Sequence, residues 1–316
     1  DGLTGGNLAV AQAAIGDIST HENRAKNFGY MGAAFGMGFI IGPYLGGKLS
    51  SPSVSFYGLF DTPHWFGATT PFWFAAILAL LNCTAVLTTF PETIKEKFHG
   101  GKIRVGQSLN NVVNGFMSDR LRVILLSSFM FSAGFTFFTT FFGVYLRNKF
   151  SFSSSKIGDY FAIVGLCIAL SQGLVVGRVA KKLVDFKVLK FSMFGTGAMM
   201  LIYFLTPTTS SMYLYMVIPF FAIFNGLCMA NTSSLISRSA EMGKQGEAMG
   251  IYSSVSSLSQ VPAAVLVGYI TTSITSSQPL IVASVCIGIA GLSFVLLFKP
   301  KYVSGVVGAA DGMPVH

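Results

Sequence analysis

Long uncharged apolar stretches alternate with short polar connectors along this chain. They run over 28–47, 71–90, 123–146, 160–177, 191–206, 212–236, 248–272 and 279–298. A hydrocarbon core about 30 Å thick takes roughly 20 apolar residues as a helix. The stretches are continuously apolar and lack the ten-residue alternation of barrel strands, so they predict transmembrane helices. Turn-rich connectors such as Ser50-Ser51-Pro52-Ser53 and Thr206-Pro207-Thr208-Thr209 punctuate them. A ninth stretch, 2–16, is shorter, about 22 Å as a helix. The chain opens on Asp1 rather than Met and reads as a fragment that begins inside a helix. The expected fold class is all-α, a polytopic membrane protein.

Composition agrees. Of 316 residues, 52% are hydrophobic and 10% charged, with a mean hydropathy of +0.63. A soluble domain carries about 25% charged residues. This balance excludes a soluble enzyme, a nucleic-acid-binding module, a disordered chain and a disulfide scaffold.

The net charge of +9 follows from topology. Seventeen of the 21 lysines and arginines fall in 17–27, 91–122, 178–190, 237–247 and the tail after 298; Lys48, Arg147, Lys149 and Lys156 are the other four. The positive-inside rule puts the first set, and the C-terminus, in the cytoplasm of a plasma (inner) membrane, with the lipid bilayer and its anionic headgroups as the nearby partner rather than nucleic acid. The longest inside connector divides the chain into 1–90, the remainder of an N-terminal bundle with three spans; 91–122, an interdomain linker; 123–298, a six-helix bundle; and 299–316, a cytoplasmic tail. Six helices and six, less three, fit a twelve-helix transporter of two domains.

The spans carry their own chemistry. In 28–47, Gly38, Gly42 and Gly46 recur every four residues on one face, and Gly29, Gly32 and Gly36 mark a second. Small faces let membrane helices approach closely, and Pro43 bends the helix. The stretch 248–272, with Gly250, a serine-rich run and Pro262, is a weak echo that suggests a repeat. All twelve acids fall in loops or at span ends. Asn7, Gln12, Asn82, Gln172, Asn225, Asn231 and Gln260 lie within spans, where each should face protein or a water-filled cavity. The aromatics of 129–145 read mainly as lipid-facing bulk, and Cys83, Cys167, Cys228 and Cys286 as small buried hydrophobes. The histidines stand in loops, and no metal-ligand spacing or catalytic constellation emerges.

The spacing Gly29, Gly38, Gly42-Pro43, Gly46-Gly47 resembles the antiporter motif of the major facilitator superfamily, in the fifth helix of its drug–proton antiporters. The resemblance implies a major facilitator fold with nine of twelve helices present, an exporter, and a fifth helix packed at a domain interface. Leucine at Gly42 would then abolish export.

Residues 2–17 resemble the family's fourth helix, the turn with Asp17 and Arg24 its cytoplasmic loop, and Pro71-Phe72 through Pro91-Glu92-Thr93 its sixth helix. Ser237-Arg238 through Gly250 is similar to its approach to the eleventh helix, towards the tetracycline-resistance-like branch. Gly177-Arg178-Val179-Ala180-Lys181-Lys182 with Asp185 is similar to a second copy of the family's basic loop motif, with Lys181 where an acid is usual. The acid and the histidine of tetracycline exporters are missing from 191–206 and 160–177; Thr196 stands near the place of the acid.

The resemblance therefore implies proton-coupled efflux of small amphipathic compounds by alternating access, but not tetracycline specifically. The energy source would be the proton gradient, with no cofactor and no metal. The partner would be a small-molecule substrate, and the carrier a monomer. Asp17, Arg24, Arg178, Lys181, Lys182 and Asp185 are candidate gate charges, and Asn7, Gln12, Gln172, Asn225 and Gln260 candidate cavity residues. Uptake symport, and a non-transporting membrane scaffold or sensor, are the alternatives.

Overall fold

A computed structural model describes residues 11, 14–15, 24–52, 61–91, 113, 115–118, 121–176, 178–179, 185–239, 245–265 and 278–298. Its principal helices are α1 (Arg24–Leu49), α2 (Thr70–Thr89), α3 (Arg122–Phe150), α4 (Ser154–Ser171), α5 (Asp185–Leu205), α6 (Met212–Ser239), α7 (Gln245–Leu258) and α8 (Gln278–Leu297). A π turn, Gln172–Val176, continues α4. Among the described residues, six helical segments are long and apolar enough to cross a bilayer: Thr70–Thr89, Arg122–Phe150, Ser154–Val175, Phe186–Leu205, Met212–Ile236 and Gln278–Leu297. Most of the stretch 2–16, most of the connector 91–122 and the tail lie outside the described residues.

Two departures from the hydropathy reading have local reasons. Helix α4 starts at Ser154 rather than near 160. Ser153 caps it: the Lys156 N–H reaches Ser153 Oγ at 3.3 Å, and the Ile157 N–H reaches the Ser153 carbonyl at 2.9 Å. Lys156 and Asp159 thus enter a helix that a charge-free window cannot contain. Just before it, Ser151 takes a left-handed conformation (φ 55°) and ends α3.

The stretch 248–272 is not one helix. It breaks at Ser259-Gln260 and resumes over 261–265, and 266–277 lie outside the described residues. Pro262 has no N–H for the Leu258 carbonyl, and its ring crowds that turn. Pro43 and Pro219 instead sit inside continuous helices, which neighbouring groups permit in a membrane.

The chain falls into two compact units, Asp1–Ile103 with Ser153–Gly165, and Arg104–Phe152 with Leu166–His316. The second unit is built on small-residue crossings. A Cβ added at Gly134 of α3 would lie 2.7 Å from the Ala283 carbonyl oxygen and 2.8 Å from Ile287 of α8. The Ser127 and Ser293 hydroxyls join the same two helices at 3.1 Å. Ser284 of α8 donates to the Gly197 carbonyl of α5 at 2.9 Å. Gly195 of α5 receives the Phe224 ring of α6.

The aromatic run of α3 lies inside this unit rather than in lipid. Phe131, Phe137, Phe138, Phe141, Phe142 and Tyr145 are all buried. Hydropathy cannot separate a lipid-facing phenylalanine from a buried one, because both environments are apolar. Here α5 and α6 bring partners: Phe138 stacks near Tyr203 and Phe221, with centroids 5.8 and 5.0 Å away.

In contrast, α2 has no buried residue, and Phe72, Trp73 and Leu87 are exposed. Apolar surface on this scale fits lipid contact, not water. Cys83 is exposed there as well, while Cys228 is buried and Cys167 and Cys286 are intermediate.

Candidate functional site

The first unit brings the glycine-proline helix against the start of α4. Here the contact face is not the one with four-residue spacing. Among the described residues, a Cβ added at Gly38, Gly42 or Gly46 meets nothing within 4 Å. At Gly47 it would lie 2.7 Å from the Ser154 carbonyl oxygen and 2.8 Å from Gly158 Cα. At Gly158 it would lie 2.7 Å from the Pro43 carbonyl oxygen and 3.0 Å from Gly47 Cα. Two turns further, Gly165 is covered by Ile40. The two helices therefore run antiparallel over Ile40–Gly47 and Gly158–Gly165, backbone against backbone at the Gly47–Gly158 crossing.

Residues on α4 that the sequence reading passed over complete this contact. The signal was present: Ser154, Gly158 and Ala162 follow four-residue spacing, as small packing faces do. Immediately beyond the crossing, Lys48 forms an ion pair with Asp159, Nζ to Oδ1 3.1 Å. Gly29 is part of α1, as is Arg24, its first residue, whose side chain lies outside the described set.

The remaining candidates scatter. Asn7, Gln12, Asp17, Lys181 and Lys182 lie outside the described residues; Asp185 opens α5 with its side chain undescribed. Arg178 is exposed and donates to the Leu174 carbonyl. Gln172, in the π turn, and Gln260, at the break before 261, are both exposed. Asn82 is exposed on α2.

Two asparagines of α6 are buried. Asn231 donates to the Leu227 carbonyl at 2.7 Å, an ordinary bond within its own helix. Asn225 differs. It is 2% exposed, its amide nitrogen faces the Met229 sulfur at 4.0 Å, and among the described residues its Oδ1 has no hydrogen-bond partner. Among the described residues no three His, Cys, Asp or Glu side chains group to hold a metal ion. The acids on described helices are Asp159 in the second turn of α4, Asp185 at the start of α5 and Glu247 in the first turn of α7.

Comparison with known proteins identifies the family. The family model described as Major Facilitator Superfamily matches residues 2–264. The chain belongs to the major facilitator superfamily. It is accordingly a multi-pass membrane protein of a transporter family, not an enzyme.

Among curated relatives of this superfamily member, the tetracycline resistance protein, class H, of Pasteurella multocida is 30% identical over 182 residues, 57% of this chain and 42% of that protein. The class B protein of Escherichia coli gives the same identity over the same coverage. Multidrug resistance protein 2 of Bacillus subtilis (strain 168) is 26% identical over 303 residues, 93% of this chain and 69% of that protein. The crystal structure of the human organic anion transporter MFSD10 (TETRAN) shares the fold, with a TM-score of 0.57 at 17% identity over 93% of this chain and 68% of that one. The chain thus spans less than half the length of the first two relatives.

Proposed function

We propose that this chain is part of a secondary active transporter that exports small amphipathic compounds in exchange for protons by alternating access. The observation that carries the reading is α1. A helix similar to the antiporter motif of exporters meets α4 with no side chain between backbones at Gly47 and Gly158. The contact is tight at that crossing, with Ile40 on one side of it and Lys48 on the other. Relatives named for tetracycline and multidrug resistance support efflux as the direction.

In this reading 91–122 links an N-terminal bundle to the bundle of 123–298. The C-terminal tail is cytoplasmic, the carrier is a monomer, and the proton gradient supplies the energy without a cofactor. The test is flux through the full-length protein in liposomes, with ethidium, a bisbenzimide dye and tetracycline as probes. Uptake into vesicles with an acidic lumen, collapsed by a protonophore, is the expected result. Accumulation driven by an acidic exterior would make the protein a symporter. No flux of any probe under either gradient would favour a scaffold or sensor.

Asn225 is the substrate-contact candidate that the packing favours. A buried acceptor without a donor costs about 1–3 kcal/mol, so a purely structural asparagine would be expected to find a partner. Asn225→Leu should leave the melting temperature of the full-length protein unchanged or higher. Transport at limiting substrate should fall about tenfold, the worth of one hydrogen bond to a charged group. A lower melting temperature with unchanged flux would make Asn225 a packing residue.

A further inference from the structure

Lys48 stands in the last turn of a helix that is otherwise uncharged from Asn27 onward. It is only 9% exposed. Its ammonium lies 3.1 Å from each Asp159 carboxylate oxygen, donates to Ser155 Oγ at 2.9 Å, and sits 5.6 Å from the Tyr44 ring centroid. The carboxylate side of the pair remains 40% exposed. The two charges come from residues 111 positions apart.

Their neighbours in sequence explain how they meet. Gly47 precedes Lys48 and Gly158 precedes Asp159, and these glycines form the backbone crossing. The ion pair is therefore conditional on that contact. Separating α1 from α4 by a few ångströms would leave the Lys48 ammonium without its counter-charge in an apolar setting, which is strongly unfavourable. The pair thus favours one discrete arrangement of the two helices over another.

We infer that Lys48 and Asp159 form a latch that holds α1 against α4 at the end that the basic loops place away from the cytoplasm, and that its release is a step of the transport cycle. The inference rests on the alternating-access reading above. Lysine is the buried partner and aspartate the accessible one, so the two single variants are unequal. Asp159→Asn leaves a buried cation unpaired. Lys48→Met leaves a carboxylate that water can still reach.

The test uses the full-length protein with its native cysteines replaced and Ile40→Cys as reporter, because Ile40 packs on Gly165 across the α1–α4 contact. A membrane-impermeant maleimide is applied from outside. Asp159→Asn should raise the labelling rate about tenfold, within the range of ordinary coupling between conformational states, and Lys48→Met by less. The double variant Lys48→Asp with Asp159→Lys should restore protection. Labelling of both single variants at the parental rate would overturn the latch, as would a double variant that labels as fast as Asp159→Asn while eluting as a monodisperse peak. Flux is read separately. Altered labelling in a protein that moves no probe keeps the latch and removes the exporter reading; normal export with unaltered labelling removes the latch alone.

Discussion

Replacing Gly158 with leucine is expected to abolish transport and to destabilise the protein, while leucine at Gly42 leaves both near the parental level. Any Cβ at Gly158 would stand 2.7 Å from the Pro43 carbonyl oxygen and 3.0 Å from Gly47 Cα. Both are backbone atoms, so no rotamer change relieves the clash. Overpacking of this kind costs about 1–3 kcal/mol in a well-packed interior, and the helices must move apart to accept it. That separation also pulls Asp159 away from Lys48. Transport should therefore fall at least about tenfold, since 1.4 kcal/mol is a factor of ten.

Among the described residues Gly42 has nothing within 4 Å of its would-be Cβ, so the contact with α4 does not crowd a side chain there. Thermal melting of the purified full-length protein and dye export from cells read the two effects. Damage from Gly42→Leu with tolerance of Gly158→Leu would show that the working contact lies on the other face of α1.

This differs from the expectation drawn from spacing alone, and the reason is physical. Four-residue spacing locates a face of α1 but not the neighbour that uses it. Gly38, Gly42 and Gly46 form the longer stripe, yet the contact runs through Ile40, Pro43 and Gly47, where α4 supplies Gly158 and Gly165. Which stripe is used depends on a helix more than 100 residues away.

The spans themselves were legible because about 20 apolar residues in a row have few other fates. Seven of the eight long stretches correspond to α1 through α6 and α8 within a few residues, α4 and α5 excepted at their starts. The eighth broke at Ser259-Gln260, where Pro262 overrides hydropathy. Asp159 was placed in a loop because a charge ends a hydrophobic window, whereas a serine cap sets the helix start. Asn225 and Asn231 looked alike in sequence. Only packing separates one bonded to its own helix from one left with an orphan oxygen.

The aromatic run of α3 carries the second large effect. Phe142 is fully buried, with ring centroids of Phe138 at 4.5 Å, Tyr203 at 5.0 Å and Tyr145 at 5.6 Å. The cluster is tied to the end of α5 by polar contacts as well. Tyr145 donates its hydroxyl to the Tyr203 carbonyl, and the Lys149 ammonium donates to the Phe204 carbonyl at 2.9 Å. The Tyr203 carbonyl also accepts the Thr206 N–H at 3.3 Å, so the last turn of α5 is held by local and distant donors together, and the positive charge sits where the helix dipole favours it.

Removing the Phe142 ring would leave a void that these tethered neighbours cannot collapse to fill. Phe→Ala in a protein core costs about 3–5 kcal/mol. In a bilayer the transfer part shrinks, because lipid is as apolar as the core, but the lost dispersion contacts remain. Phe142→Ala should therefore destabilise the full-length protein by about 2–4 kcal/mol, read as a lower midpoint in SDS-titrated unfolding from mixed micelles. Phe220→Ala, on the exposed face of α6, should change little. Equal midpoints for the two variants would mean that the α3 aromatics do not form the packed centre of the second unit, and that lipid could replace them without loss.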